Sequence, residues 1–342
     1  MRKLLLSTTA LIAAGAISSA AVADVSISGS YKFSYQDYDS GITTAGESGD
    51  RMYSEQNIVM SFSNKTDSGL NITMLAVLNA EGDGNSDATT LWEDHNLSIS
   101  GGFGKLQLGS DDGAGDQLTR TAHDISASPD ALHGDIENFH NTAGTGNLKD
   151  DNADLRDDID DEANITYILP KMGGLTLGAS FRDAGNMAGE NNDETSFAAK
   201  YDFDAGEVKG SIHYGQHESD GATAVATSLD GNTMAIDLTM GAIRAVYATS
   251  ETDVDATVTT EITDFGVQYK MANGMVVSAI QTEVKENTGG ETLDVTSVAA
   301  SYTIASGLNA SLTYHDYDYA VGTSNETADD GSATIVSITA SF

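Results

Sequence analysis

The sequence predicts an all-β protein, a 16-stranded antiparallel transmembrane β-barrel whose long third loop folds into the lumen. Three observations predict this fold. Apolar and polar residues alternate over sixteen short segments, which is the period of a strand with one buried face. Tight turns and longer polar connections follow one another in strict alternation along the chain. No stretch after residue 23 has the length of an apolar spanning helix, which a barrel of alternating strands does not need.

The first 23 residues have the three regions of a secretory signal peptide. Arg2 and Lys3 form a positive start, residues 4–17 are largely apolar, and residues 21–23 (AVA) place small residues before a cleavage point. A membrane anchor is the alternative, but the apolar stretch is shorter than the ~20 residues that a spanning helix needs. We therefore expect residues 1–23 to be removed and residues 24–342 to form the barrel domain.

Each strand has one apolar face. In the first, Val25, Ile27 and Tyr31 share a face, while Ser26 and Lys32 lie on the other. The fourth, thirteenth and fourteenth strands alternate less regularly, so their boundaries stay open. In chain order the segments are VSISGSYKFSY, NIVMSF, LNITMLAVL, NLSIS, KLQLG, NITYIL, LTLGASF, SFAAKYDF, VKGSIHY, TMAIDLT, IRAVY, FGVQYK, MVVSAI, SVAASYTI, LNASLTY and ATIVSITASF.

The connections between strands are of two kinds. Seven are tight turns, with the sequences NKTDSG, GGFG, PKMGG, DAGE, MGA, MANG and ASG. Eight are longer and polar, at residues 37–50, 80–89, 111–162, 183–194, 215–231, 249–260, 282–292 and 316–332. In an antiparallel meander, alternate connections emerge at opposite ends, so one end carries every long connection. Outer-membrane barrels have this layout, whereas a soluble Greek-key sandwich has no reason to keep it.

The basic residues fall on the polar faces and the aromatic residues near strand ends. A polar lumen and aromatic girdles at the two membrane interfaces explain both features, although a soluble sheet with one solvated face alternates in the same way. The predicted basic residues of the pore wall are Lys32, Arg51, Lys105, Arg182, Lys200 and Arg244, with Lys209 and Lys270 on the same faces. The girdle residues are Tyr35, Phe62, Phe181, Phe203, Tyr214, Tyr247, Tyr269, Tyr314 and Phe342.

The third long connection, residues 111–162, is predicted to constrict the pore. It holds 15 acidic and three basic residues, and its first part has spaced apolar residues, such as Leu118 and Ile125, that can pack. Carboxylates opposite a basic wall would select ions by charge. A solvated external flap is the alternative. The predicted constriction acids are Asp111, Asp112, Asp116, Asp124, Asp130, Asp135 and Glu137.

The second part of this connection offers clustered carboxylates, which suit Ca²⁺ or Mg²⁺. The spacing does not match an EF-hand loop, so a diffuse cation-attracting surface is an equal alternative to an ordered Ca²⁺ site. No cofactor is required by the sequence. The candidate ligands are Asp150, Asp151, Asp154, Asp157, Asp158, Asp160, Asp161 and Glu162.

Charge and composition exclude several functions. Removing the leader changes the formal net charge from −36 to −38, so nucleic acid, itself a polyanion, is excluded as a partner. Without cysteine the exported chain cannot use disulfides. His213 and His217 share a face if their strand continues, and could bind a metal there. The other histidines are scattered and there is no Gly-x-Ser-x-Gly motif, so we expect no enzyme.

Three stretches resemble the general porins of Gram-negative outer membranes: NLSISGGFGKLQLGS, NITYILPKMGGLTLGASF and the terminal SITASF. The second contains a Tyr-x-x-Pro-x-x-Gly turn, formed by Tyr167, Pro170 and Gly173. The resemblance implies a homotrimer of barrels, each pore constricted by the third external loop, and passive diffusion of ions and small hydrophilic solutes. It also implies that Phe342 is the signal read by the barrel-insertion machinery.

The chain departs from this family pattern in three ways, the first of which is that it lacks the acidic Pro-Glu-Phe-Gly-Gly-type stretch of enteric constriction loops. Ser110 stands where family members commonly have Arg, and the wall has few arginines, which favours a wide, cation-preferring pore. The main alternative function is a structural or adhesive outer-membrane barrel, whose acidic loops contact lipopolysaccharide through Ca²⁺. A soluble periplasmic β protein and a barrel enzyme are further alternatives.

Overall fold

The strands close into a single barrel in which every strand pairs with its neighbours in the chain. The structure, a computed structural model, describes residues 24–40, 49–82, 92–131, 163–183, 192–221, 228–254, 258–287, 289–322 and 329–342. The sixteen strands are β1 (Asp24–Ser40), β2 (Gly49–Lys65), β3 (Asn71–Gly82), β4 (Trp92–Gly101), β5 (Gly104–Ser110), β6 (Ala163–Ile168), β7 (Leu175–Arg182), β8 (Asn192–Ala205), β9 (Val208–Gly221), β10 (Leu229–Met240), β11 (Ile243–Val254), β12 (Val258–Lys270), β13 (Val276–Glu286), β14 (Thr292–Ala305), β15 (Leu308–Ala320) and β16 (Asp329–Ser341).

Closure is completed by β1 pairing with β16, with Lys32 opposite Thr339. Phe342 continues this ladder, because its backbone N–H donates to the carbonyl of Gly29 over 2.9 Å. An unpaired sheet edge is not tolerated in hydrocarbon, so the paired ends remove the cost that an open sheet would carry. The predicted fold, a closed antiparallel barrel of 16 strands, is confirmed. Among the described residues no helix is both long and apolar enough to cross a membrane.

All seven tight turns lie at one end of the barrel, and each carries a glycine with positive φ, such as Gly69 (87°) and Gly274 (88°). Only glycine adopts this conformation without a steric cost. We call this the turn end of the barrel, and the opposite end, from which the longer connections leave, the loop end.

The strands extend further toward the loop end than the sequence predicts. Residues 249–260 were predicted to be a long connection, yet β11 and β12 stay paired up to Val254 and Val258, and only residues 255–257 lie between them. Residues 215–231 are likewise mostly strand. The predicted boundaries are wrong there because the apolar alternation, which located the strands, ends before the hydrogen-bonded ladder does.

Along β15 the two faces exchange polarity toward the loop end. Near mid-strand Leu312 and Tyr314 point outward, and further along the outward positions are Asp316 and Asp318. The inward positions at that level are aromatic instead, and Tyr317 is 2% exposed. Tyr317 belongs to a buried inward cluster, so the expectation of a charged lumen does not hold on this sector. The cluster comprises Ala235, Ala248, Ile262, Val284, Leu293, Val295, Tyr317 and Tyr319.

The outward positions at this level form a ladder of like charges across four strands. Glu283 lies opposite Asp294, Asp294 opposite Asp318, and Asp318 opposite Asp330. Directly opposed like charges destabilise a sheet. We call these four residues the outer carboxylate ladder.

Candidate functional site: a segment on the inner wall

Residues 111–131, which we call the inner segment, run along the inside of the barrel. The segment contains a short helix, α1 (Ala114–Leu118), and two 3₁₀ turns, Ala122–Ile125 and Pro129–Ala131. The helix contacts β6 to β9, the first 3₁₀ turn contacts β11 to β13, and the second contacts β14 and β15. One short segment can touch strands this far apart around a closed barrel only from within. The prediction that the third connection enters the barrel therefore describes this part of the chain correctly.

Small residues bring the inner segment close to the wall. Gly215 occupies an inward position of β9 next to Thr119 of the segment. Gly266 occupies an inward position of β12 next to Ala122. A Cβ added to Gly215 would lie 2.8 Å from Thr119 Cγ2, and one added to Gly266 would lie 2.8 Å from Ala122 Cβ. Both distances are shorter than van der Waals contact, so these positions require glycine while the segment lies where it does.

Inward-facing side chains of the wall satisfy the backbone of the inner segment. The ring Nδ1–H of His213 donates to the Leu118 carbonyl over 2.6 Å, and its Nε2 lies 2.7 Å from Ser211 Oγ. With both ring nitrogens engaged, the interpretation of His213 as a metal ligand is not supported. Further bonds of this kind join Ala114 N–H to Ser180 (2.6 Å), Ala122 N–H to Asp264 (2.6 Å), Ala127 N–H to Ser278 (2.8 Å), Gln268 to the Ile125 carbonyl (2.7 Å) and His315 to the Asp130 carbonyl (2.7 Å).

The far end of the inner segment is fixed by Asp130, which is 1% exposed. Its carboxylate lies 3.2 Å from Lys32 Nζ of β1, accepts a 2.5 Å hydrogen bond from Ser337 of β16, and lies 3.5 Å from Ser311 of β15. Asp130 was predicted to be one of the constriction acids that oppose the basic wall. The structure buries its side chain against the wall, where one cation and the hydroxyls of Ser128, Ser311 and Ser337 compensate for the burial of its charge.

Four charged side chains of the inner segment are spaced four residues apart and are less buried than most of their neighbours. Asp112, Asp116, Arg120 and Asp124 are half-buried, whereas the residues between them that face the wall are mostly buried. Arg120 pairs with Asp124 at 3.5 Å. Arg120 was not among the predicted constriction residues; it lies between α1 and the first 3₁₀ turn, and the sequence prediction considered only the acidic residues of the segment.

At the start of the segment, Asp111 is held by two asparagines. Its carboxylate accepts a hydrogen bond from Asn96 of β4, and its backbone carbonyl accepts a 2.5 Å bond from Asn164 of β6. Sequence reasoning missed both asparagines, because a polar residue on an inward face has no distinctive spacing. The predicted acids Asp135 and Glu137 and the whole predicted Ca²⁺ cluster, residues 150–162, lie outside the described residues. Within the described ranges, no three His, Asp or Glu side chains converge to hold a metal.

Residues 7–342 match the family model described as Gram-negative porin. The chain belongs to this porin family. The family and the closed barrel fold support an outer-membrane location. No curated protein sequence matches this porin.

Solved porin structures share its fold. The anion-selective porin from Comamonas acidovorans has a TM-score of 0.64 and 13% identity, and the match covers 94% of this chain and 100% of that one. A mutant of the Rh. blastica porin gives a TM-score of 0.67 at 14% identity, over 93% and 100% of the two chains. OmpT of Vibrio cholerae, with loop L8 deleted, gives 0.64 at 12% identity, over 94% and 99%. At these identities the likeness concerns the fold alone.

The six predicted basic residues of the porin wall all have polar partners. Lys105 of β5 donates to Gln117 of the inner segment over 2.5 Å. Most of the others pair with acidic wall residues, so the inner segment does not face a bare positive wall. These contacts are Lys32–Glu55 at 2.9 Å, Arg51–Gln36 at 2.5 Å, Arg182–Glu194 at 3.2 Å, Lys200–Asp202 at 3.3 Å and Arg244–Asp237 at 2.5 Å.

Proposed function

We propose that this porin lets ions and small hydrophilic solutes diffuse passively through the outer membrane, with the inner segment narrowing the path. The observation that carries the proposal is the position of residues 111–131, which occupy the inner wall of a closed barrel. The polar side chains on the inside of the barrel line a path for hydrated solutes. Passive diffusion along this path requires no conformational change of the wall.

We further propose a preference for cations. Asp112, Asp116 and Asp124 are half-buried carboxylates of the inner segment, and Asp124 pairs with Arg120 of the same segment. The basic residues of the wall are largely compensated by acidic partners. Fixed carboxylates along a narrow path raise the local concentration of cations and repel anions.

The experiment is a planar-bilayer recording with the folded protein under a salt gradient. We expect discrete conductance steps and a reversal potential of the cation-selective sign. A triple variant, Asp112→Asn with Asp116→Asn and Asp124→Asn, should shift the reversal potential toward zero or toward anions. The absence of conductance steps contradicts the diffusion proposal, and an anion preference in the unaltered protein contradicts the cation preference.

A matched control carries the same change of charge on the outer wall. Asp294→Asn, Asp318→Asn and Asp330→Asn remove three carboxylates of the outer carboxylate ladder, which does not face the lumen. If this variant shifts the reversal potential as much as the inner triple variant does, net charge rather than the inner segment determines selectivity.

We also propose that the porin is a homotrimer, as its family resemblance implies. The measurement is the mass of the protein extracted in mild detergent, corrected for bound detergent. A mass of three chains supports the proposal, and a mass of one chain under the same conditions contradicts it.

A further inference from the structure

A polar recess lies at the turn end of the lumen, between β8 and β12 and on the turn side of the inner segment. Its volume is about 310 Å³, and its lining includes Lys209, Thr239, Arg244 and Lys270. Lys209 and Arg244 both lie opposite Thr239 in the strand register, so these three inward side chains form one row across β9, β10 and β11. Lys270 lies on the adjoining strand, β12, where its backbone pairs with Ala242. Cationic groups from three strands therefore meet in one recess.

The acidic groups of the recess already have cationic partners. Asp237 binds Arg244 through two of its guanidinium nitrogens, at 3.0 Å and 2.5 Å. Asp202 lies 2.5 Å from Lys171 and 3.3 Å from Lys200. Neither carboxylate is left to attract a further cation strongly.

The cationic groups of the recess have fewer acidic partners. Lys209 has one partner, Asp204, at 3.4 Å, and both side chains are largely exposed, so this pair is weak. Lys270 is exposed and makes no ion pair within the part of the chain that the structure describes. Arg244 keeps a guanidinium nitrogen, Nη1, that does not bind Asp237. The donors that remain unused are therefore positive, in a chain whose total charge is strongly negative.

We propose that this recess is a binding site for a small oxyanion, such as phosphate or the phosphate group of a solute. Lys209, Lys270 and the free edge of Arg244 supply charge-assisted hydrogen bonds, and Thr239 supplies a hydroxyl. Oxygen-rich anions accept several such bonds at once, which a halide cannot do in the same geometry. The inference rests on the proposed function, because the solute reaches the recess through the lumen. It adds to that function a separate site that binds anions, in a pore whose inner segment is acidic.

Binding is tested with the folded porin in detergent at low ionic strength, using inorganic phosphate as the probe in equilibrium dialysis. We expect saturable binding that falls about tenfold or more in the double variant Lys209→Gln, Lys270→Gln, since two charge-assisted contacts are lost. The matched control is Lys65→Gln with Lys285→Gln. It removes the same charge from sites outside the recess, and should bind phosphate as the unaltered protein does.

Absence of saturable phosphate binding in the unaltered protein overturns the inference. An equal loss in the two double variants also overturns it, because binding would then follow net charge alone. Bilayer recording separates this inference from the proposed function. Channels that conduct but neither bind phosphate nor respond to it refute only the recess. A protein that binds phosphate at Lys209 and Lys270 but never conducts refutes the diffusion proposal and leaves the oxyanion site standing.

Discussion

Replacing Asp130 with alanine is expected to lower the free energy of unfolding by about 3 kcal/mol. The buried carboxylate pairs with Lys32 at 3.2 Å and accepts a 2.5 Å hydrogen bond from Ser337. Hydrogen bonds to charged groups contribute about 1.5–3 kcal/mol each, and removing one partner of a buried pair costs about 3–5 kcal/mol. Lys32 retains Glu55 at 2.9 Å, which keeps the expected loss at the lower end of that range.

The assay is urea unfolding of the protein in detergent micelles, followed by circular dichroism and extrapolated linearly to zero urea. Asp67→Ala is the control, because Asp67 lies exposed in the turn between β2 and β3. It removes the same charge with no measurable change expected. A double-mutant cycle with Lys32→Gln then measures the coupling between the two residues, which should be about 1 kcal/mol or more.

A loss below about 0.5 kcal/mol for Asp130→Ala, which is the size of an ordinary surface substitution, refutes the argument that this residue anchors the segment. Strict additivity in the cycle refutes the ion pair while leaving the hydroxyl contacts. Either result would also weaken the view that the inner segment is held as one unit from α1 to its far end.

Three further predictions follow from the wall and the ends of the barrel. Gly266→Ala should destabilise the protein by about 1–3 kcal/mol in the same urea assay, because the added Cβ would lie 2.8 Å from Ala122 Cβ, whereas Gly102→Ala, which meets no atom within 4 Å, should not. A measured loss equal at both positions contradicts the close-docking argument. Asp294→Asn should stabilise the protein by a few tenths of a kcal/mol at low salt and by nothing at 1 M salt, since it relieves repulsion within the outer carboxylate ladder. A salt-independent effect would contradict this. Deleting Phe342 should reduce the yield of inserted barrel far more than the conductance of the barrels that form; unchanged yield in a membrane fraction counts against an assembly role.

The number of strands and their order could be predicted from the sequence because the lipid-facing band imposes a strict period of two. Val336 and Ile338 of β16 show this, since they alternate with inward serine and threonine and are about half exposed on the outside. The ends of the strands could not be predicted, because there the apolar residues lie on the inward face and the polar residues on the outward face. Asp316 and Asp318 face outward while Tyr317 faces inward, which is the opposite of the pattern that locates the strand.

The inner segment was predicted in its first half by the length, charge and apolar spacing of its connection. Leu118 and Ile125, whose spacing suggested packing, are buried. What fixes the segment in place could not be predicted, because it depends on pairs of residues that are far apart in the chain. The need for glycine at position 266 is apparent only from its contact with Ala122. The role of His213 is apparent only from its hydrogen bond to the Leu118 carbonyl. A single sequence contains no signal that joins such positions.

The contacts at the far end of the inner segment also determine at which stage of folding that end can dock on the wall. Asp130 and Ser337 are separated by 207 positions along the chain, and the other wall partners of the Asp130 carboxylate come from the first and fifteenth strands. Ser337 and Lys32 meet only after the last strand has joined the first, so the far end of the segment can be fixed by both of them only in the closed barrel. Resistance of the far end of the inner segment to protease, followed during refolding, would therefore report the moment of closure rather than the earlier pairing of strands.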